Sequence, residues 1–145
     1  QIGIHDQGCG TVMTMQQIAA EALHMDVYRI KIHEADTFIT PYDAAGTQAS
    51  RVTYVCGRAV QKAGEQLLDK MKQACVEMYQ WDQDKIEADD GILRCEKEEK
   101  SYKQIALDYE LKCCRYMHTE LEYEASAMVA LSFSFSDSSN SPVSQ

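Results

Sequence analysis

Residues 5–11 read His5-Asp6-Gln7-Gly8-Cys9-Gly10-Thr11, between a short strand-like stretch and an apolar stripe of helical spacing. Glycines at 8 and 10 permit positive φ and let a ligand come close to the backbone. The N-terminus of a following helix offers unpaired N–H groups and partial positive charge, which together favour phosphate. The pattern falls short of two stronger ones. Met13 stands where the dinucleotide fingerprint needs a third small residue, and no Gly-Lys-Ser/Thr of a phosphate-binding P-loop follows. A plain tight turn explains the same residues if the loop stands alone.

A second junction of this kind follows. Asp36 and Thr37, then Gly46-Thr47-Gln48-Ala49-Ser50-Arg51-Val52-Thr53, form a polar loop feeding a long helix. Small residues and hydroxyls suit an anion or a polar ring edge, while N-capping by Ser50 is the purely structural reading. Two loop-to-helix junctions in one small domain strengthen the case for a shared ligand site. Two groups carry metal-ligand chemistry: His5, Asp6 and Cys9, and Cys113, Cys114 and His118. Neither has a compact zinc spacing, so no metal site is expected. Glu98-Glu99 and Asp89-Asp90 read as solvated faces, and no partner residue is visible for His24 or His118. No Ser/His/Asp or Cys/His order is defensible, and no catalytic residue is expected in the chain.

The elements that must position these residues follow from periodicity. Ile2 and Ile4 share one face of a strand at residues 2–5. Met15, Ile18, Ala19, Ala22 and Leu23 make one helical stripe, with Thr11 or Thr14 as its cap. Tyr28, Ile30 and Ile32 alternate with Arg29, Lys31 and His33, as in a half-buried strand. The long helix runs from Ser50 through Val52, Val55, Cys56, Ala59, Val60, Ala63, Leu67, Met71, Ala74 and Met78. Gly57 and Gly64 interrupt it at about 1 kcal/mol each against Ala, which points to close helix–sheet packing. Asp90-Gly91 marks a hairpin between residues 85–88 and 92–95. Ser101 with Gln104 forms a capping-box pattern ahead of a third helix carrying Tyr102, Ile105, Ala106, Tyr109 and Cys113. Leu121, Tyr123, Ala125, Ala127, Val129 and Leu131 alternate as one last strand. The order β-α-β-α-β-β-α-β implies an α+β (α/β-like) fold with helices packed on a mixed sheet.

Composition sets the outer limits. The chain has 145 residues, 45% of them hydrophobic, enough for one globular domain with its own core. A net charge of -9 argues against a nucleic-acid partner, which needs clustered Lys and Arg. The six cysteines are irregularly spaced and read as reduced thiols, in keeping with a cytoplasmic protein. No apolar run approaches the roughly 20 residues of a membrane span, so no membrane partner is expected. Residues 1–131 are expected to form a single α+β subdomain, and 132–145 a Ser-rich flexible tail leading into a further segment.

These blocks together resemble one family. The run Ile4-His5-Asp6-Gln7-Gly8-Cys9-Gly10-Thr11 with Met15-Gln16-Gln17-Ile18-Ala19-Ala20-Glu21-Ala22-Leu23 is similar to the glycine loop and following helix of the large, molybdenum-binding subunit of xanthine dehydrogenase and aldehyde oxidase-type hydroxylases. Asp36-Thr37, Ala49-Ser50-Arg51-Val52-Thr53 and Gly57-Arg58-Ala59-Val60 resemble its next blocks in the same order. The resemblance is specific through about residue 70 and thereafter rests on element order. It implies a fragment from the C-terminal half of such a subunit, with a molybdopterin cofactor, often as the cytosine dinucleotide. It further implies hydroxylation of an aldehyde or N-heterocycle with oxygen from water, and electron transfer through iron–sulfur and flavin domains or subunits. Gln7, Gly8, Cys9, Gly10 and Thr11 would then face the pterin dithiolene region, and Ala49, Ser50, Arg51 and Thr53 the pterin or phosphate groups. Two departures bear on activity. The family has Gln between the glycines where this chain has Cys9, a smaller, softer side chain and a weaker donor. Its glutamate base in a late glycine-rich motif has no counterpart here. The fragment alone is therefore expected to be inactive and to lack the cofactor. The alternatives are a non-enzymatic α+β module binding another anion or a protein, and, more weakly, a zinc-binding module.

Overall fold

The computed structural model describes residues 1–33, 38, 47, 49–113, 118–123 and 127–132, with the last two segments and residue 113 described as backbone. Three helices carry the fold: α1 (Thr11–Ala22), α2 (Gly57–Tyr79) and α3 (Tyr102–Cys113). One turn of π-helix, Val52–Cys56, runs directly into α2. The strands are β1 (Ile86–Asp89), β2 (Ile92–Cys95), β3 (Glu98–Ser101), β4 (His118–Tyr123) and β5 (Ala127–Ser132). They form an antiparallel sheet β1-β2-β3 and an antiparallel pair β4-β5. The α+β class expected from the sequence holds. The mixed sheet does not, because every described strand pair is antiparallel.

Helices α1 and α2 pack at very short range. A Cβ on Gly64 would stand 2.7 Å from Cβ of Ala22, and one on Gly57 would stand 2.9 Å from Cδ1 of Ile18. The two glycines thus exist for helix–helix contact rather than the helix–sheet contact their spacing suggested. Gly57 lies opposite Met15 and Ile18, and Gly64 opposite Ala22 and Leu23. Both chains ascend together, so the helices run parallel. Their small residues enclose a core of Ile2, Ile4, Met15, Ala19, Val52, Cys56, Ala59, Val60 and Ala63.

A second cluster continues down α2 to the sheet, through Leu67, Met71, Cys75, Trp81, Leu93, Tyr102 and Ile105. The hairpin expected at Asp90-Gly91 forms, with φ of 45° and 73° at the two residues, as a two-residue turn requires. This turn is tied to the end of α1. Gly91 N donates to His24 O, Tyr102 N to Gly91 O, Arg29 Nη1 to Asp90 O, and the buried Tyr102 hydroxyl to Leu23 O at 2.7 Å. Ser101 caps α3 as expected, its Oγ accepting from Gln104 N at 3.2 Å.

Three strand readings change. The stretch at residues 2–5 forms no strand among the described residues: Ile2 makes an isolated bridge, its N donating to His33 O. Val27–Arg29 form a 3-10 turn capped by Asp26 instead of beginning a strand. Glu98-Glu99, read as a solvated face, lies in the edge strand β3. Trp81 Nε1 fixes it by donating to Glu98 Oε2 at 2.7 Å. The single last strand is in fact the hairpin β4-β5, which lies against α2.

Burial shifts two core groups. It pushes the Cys75 thiol from 9.0 up to about 12, with Cys95 adding and Lys100 opposing, and the Tyr102 hydroxyl from 10.0 up to about 12. The fold therefore favours their neutral forms. That stability is fully present below pH 9 and is lost as pH climbs toward 12. Urea unfolding midpoints should accordingly hold level up to about pH 9 and fall above it. A midpoint that rises over this range contradicts the assignment. Gly64→Val should cost on the order of 1–3 kcal/mol in urea unfolding, because the facing atom is a rigid Ala22 Cβ. Gly57→Ala should cost less, because Ile18 can move its terminal methyl.

Candidate functional site

Parallel packing places the N-termini of α1 and of the π-turn that opens α2 at the same end of the helix pair. The glycine loop and the Ala49–Thr53 junction therefore lie on one side of the molecule. Thr47 Oγ1 reaches His5 O at 3.5 Å, the outer limit of a hydrogen bond, and brings the two loops to each other.

The glycine loop is built around a carboxylate from its own chain. Asp6 Oδ1 accepts from Gly8 N at 2.9 Å, Cys9 N at 3.0 Å and Gly10 N at 3.2 Å, and Oδ2 accepts from Val12 N at 3.4 Å. Gly10, at φ 73°, is the N-cap residue of α1 and makes no side-chain cap. Neither Thr11 nor Thr14 serves as the cap expected of them. Thr11 is buried, and Thr14 Oγ1 donates to Gly10 O. Asp6 entered the sequence reading only as a metal-ligand candidate. The signal for its real role was present, because an Asp two residues before a Gly is placed to bond the backbone ahead of it.

The loop presents a specific surface. Gln7, Gly8, Cys9 and Gly10 are exposed. Gly8 has φ 86°, and at both Gly8 and Gly10 a Cβ would meet nothing within 4 Å. Positive φ explains why they are glycines, and the open space lets another group approach the backbone. The Cys9 thiol is exposed and lies 3.0 Å from Thr11 Oγ1.

At the second junction Ala49 takes φ 46°, Ser50 and Thr53 are exposed and Arg51 is half-buried. The Ser50 side chain does not cap. Its carbonyl accepts from Tyr54 N at 3.0 Å, and no side-chain cap bond is made at the helix start. Arg58 stacks over the Tyr54 ring at 5.7 Å. The π-turn opens the helix here, a feature frequent at functional sites. Asp36 and Thr37 lie outside the described residues, as do Cys114 and the side chains of Cys113 and His118.

Among the described residues no three His, Cys, Asp or Glu side chains come together as metal ligands. Nor is any helix among them long and apolar enough to cross a membrane. A groove of about 590 Å³ among the described residues is lined by Gln17, Ile18, Glu21, Ala22, His24, Gln61 and Glu65. It follows the second half of α1, away from the glycine loop, and holds no residue singled out for cofactor contact.

The fit to a molybdopterin is selective. A phosphate held by the N–H groups of Gly8, Cys9 and Gly10 does not fit, because Asp6 already occupies them. The outer side of the loop, with open space over Gly8 and Gly10 and an exposed Cys9 thiol, can take a group lying against it. Of the described cysteines, Cys9 alone is exposed, while Cys56, Cys75 and Cys95 are buried. Iodoacetamide on the native protein should therefore modify Cys9 well ahead of those three, as read by peptide mass spectrometry. Equal labelling of Cys75 would contradict the packing.

Known proteins share this fold. The profile of the molybdopterin cofactor-binding domain family matches residues 1–143. The gamma subunit of the 6-hydroxypseudooxynicotine dehydrogenase complex of Paenarthrobacter nicotinovorans is 33% identical over 109 residues, 75% of this chain and 13% of that protein. A CO dehydrogenase from Oligotropha carboxidovorans superposes with a TM-score of 0.61 at 28% identity, over 71% of this chain and 13% of its own. The quinoline 2-oxidoreductase of Pseudomonas putida 86 superposes with a TM-score of 0.61 over 89% of this chain and 16% of its own, at 20% identity, a likeness of fold alone. The chain thus spans only 13–16% of the length of these proteins.

Proposed function

The chain belongs to the molybdopterin cofactor-binding domain family, and from that premise we propose that it supplies one wall of a molybdopterin pocket in a larger molybdenum-dependent oxidoreductase. The observation that carries this reading is the parallel α1/α2 contact, which brings both loop-to-helix junctions to one end. Gln7, Gly8, Cys9 and Gly10, backed by the buried Thr11, form the part that meets the pterin dithiolene region, where an exposed, anion-filled loop suits a ring edge better than a phosphate. Ala49, Ser50, Arg51 and Thr53 form the part that meets pterin or phosphate groups, at the positive end of α2. The cofactor, carried as molybdopterin or its cytosine dinucleotide, supplies the redox metal. The residues of this chain hold and orient it.

The rest of the enzyme completes the site. The remaining domains of the same subunit close the pocket and carry the catalytic base, and iron–sulfur and flavin domains or subunits take the electrons. The substrate is an aldehyde or N-heterocycle, and the enzyme works in the cytoplasm. Cys9, where the resembling family has Gln, places a soft thiol beside the cofactor and tunes substrate choice. The reading as a free-standing anion-binding module is the weaker one, because Asp6 fills the loop's N–H groups.

Cofactor analysis tests this. The longer polypeptide carrying this chain should purify with molybdenum and molybdopterin in matching amounts. Gly10→Val in it should lower both several-fold, because a β-branched residue resists φ 73° and fills the space over the loop. The chain alone should hold little molybdenum and show no hydroxylase activity. Stoichiometric molybdenum on the isolated chain, or none on the longer polypeptide, would sink the proposal.

A further inference from the structure

The glycine loop needs an anion to take its converging N–H groups, and the chain provides one. We infer that Asp6 is the positioning residue of this site: its carboxylate, rather than a ligand phosphate, is the anion around which the loop is built, and it presets the surface that Gln7, Cys9 and Gly10 offer. This inference rests on the function proposed above and adds a role that the resemblance does not assign.

Four backbone donors, Gly8, Cys9, Gly10 and Val12, converge on the two oxygens of one half-buried side chain. Charge-assisted bonds of this type are roughly twice as strong as neutral ones. The carboxylate also sits at the positive end of the 12-residue α1, where negative charge is stabilising. Gly8 and Gly10 turn their open sides away from any neighbouring atom, at φ 86° and 73°. The clasp therefore fixes the loop from within and leaves its outer side clear. It also closes the loop to phosphate: a second anion would have to compete with a tethered one and meet its charge at close range.

Three substitutions separate charge, geometry and bulk. Asp6→Asn keeps an oxygen for the first three donors but sets an NH₂ against Val12 N–H and removes the charge. Asp6→Ala removes all four bonds. Asp6→Glu keeps the charge on a longer arm. Hydrogen–deuterium exchange of the peptide containing residues 8–12, in the full polypeptide, should quicken about tenfold in Asp6→Ala and less in Asp6→Asn. Peptides from α2 should exchange as in the parent, which shows that the variants are folded. Molybdopterin content should fall several-fold in Asp6→Ala, and Asp6→Glu should restore part of it. Added inorganic phosphate should slow exchange of this peptide in Asp6→Ala and leave the parent unchanged.

Unaltered exchange in Asp6→Ala, or phosphate protection in the parent, overturns the inference whatever the cofactor content. Normal molybdopterin content in a folded Asp6→Ala overturns the positioning role while leaving the proposed pocket standing. A parent polypeptide without molybdopterin overturns the pocket alone, since the exchange arms still decide whether Asp6 shapes the loop.

Discussion

The distance between α1 and α2 is set where there is no room for one more carbon. At Gly64 an added Cβ would overlap Cβ of Ala22, so the two helices approach to the limit set by their backbones. Ala19, Ala59 and Ala63 are buried beside them. Larger side chains along this seam would push the helices apart and separate the loops in front of them. The relative placement of the two junctions is thus decided within the helices, before any loop residue is considered.

The other half of the fold holds that arrangement from below. The buried Tyr102 hydroxyl and the Asp90-Gly91 turn close on the last carbonyls of α1, so the three-stranded sheet anchors the end of α1 opposite the glycine loop. Loop and anchor sit at opposite ends of one 12-residue helix. Asp6 completes the frame at the near end by satisfying donors that a helix start leaves open.

Much of this was legible in the residues, and the misses have definite causes. Helical spacing located α1, α2 and α3, because each buries one face. Asp90-Gly91 and Ser101-Gln104 marked a turn and a cap through local chemistry that tertiary context did not override. Glu98–Ser101 was missed because an edge strand needs no apolar face, only a neighbour to pair with, here β2. Residues 118–132 kept one alternation across what is a hairpin, since period-two spacing says nothing of where the chain reverses. At the site, the glycines announced a special backbone. Which anion filled it depended on whether an upstream side chain reached the loop's donors first, and composition does not tell an internal carboxylate from an external phosphate.

The π-turn at Val52–Cys56 has a bearing on how such a site can diverge. An α-helix advances by about 100° per residue, so one extra residue in a single turn works as a phase shifter. It lets the seam below, with Gly57 and Gly64, keep its angular setting toward α1 while the residues above take a different one. A one-residue deletion there would restore regular winding and swing Ser50 by roughly a quarter of a turn, and it would carry the buried Val52 off the core at the same time. Because Val52 and Cys56 anchor the same turn in the core, a lineage that rewinds it must repack that core as it re-aims the junction.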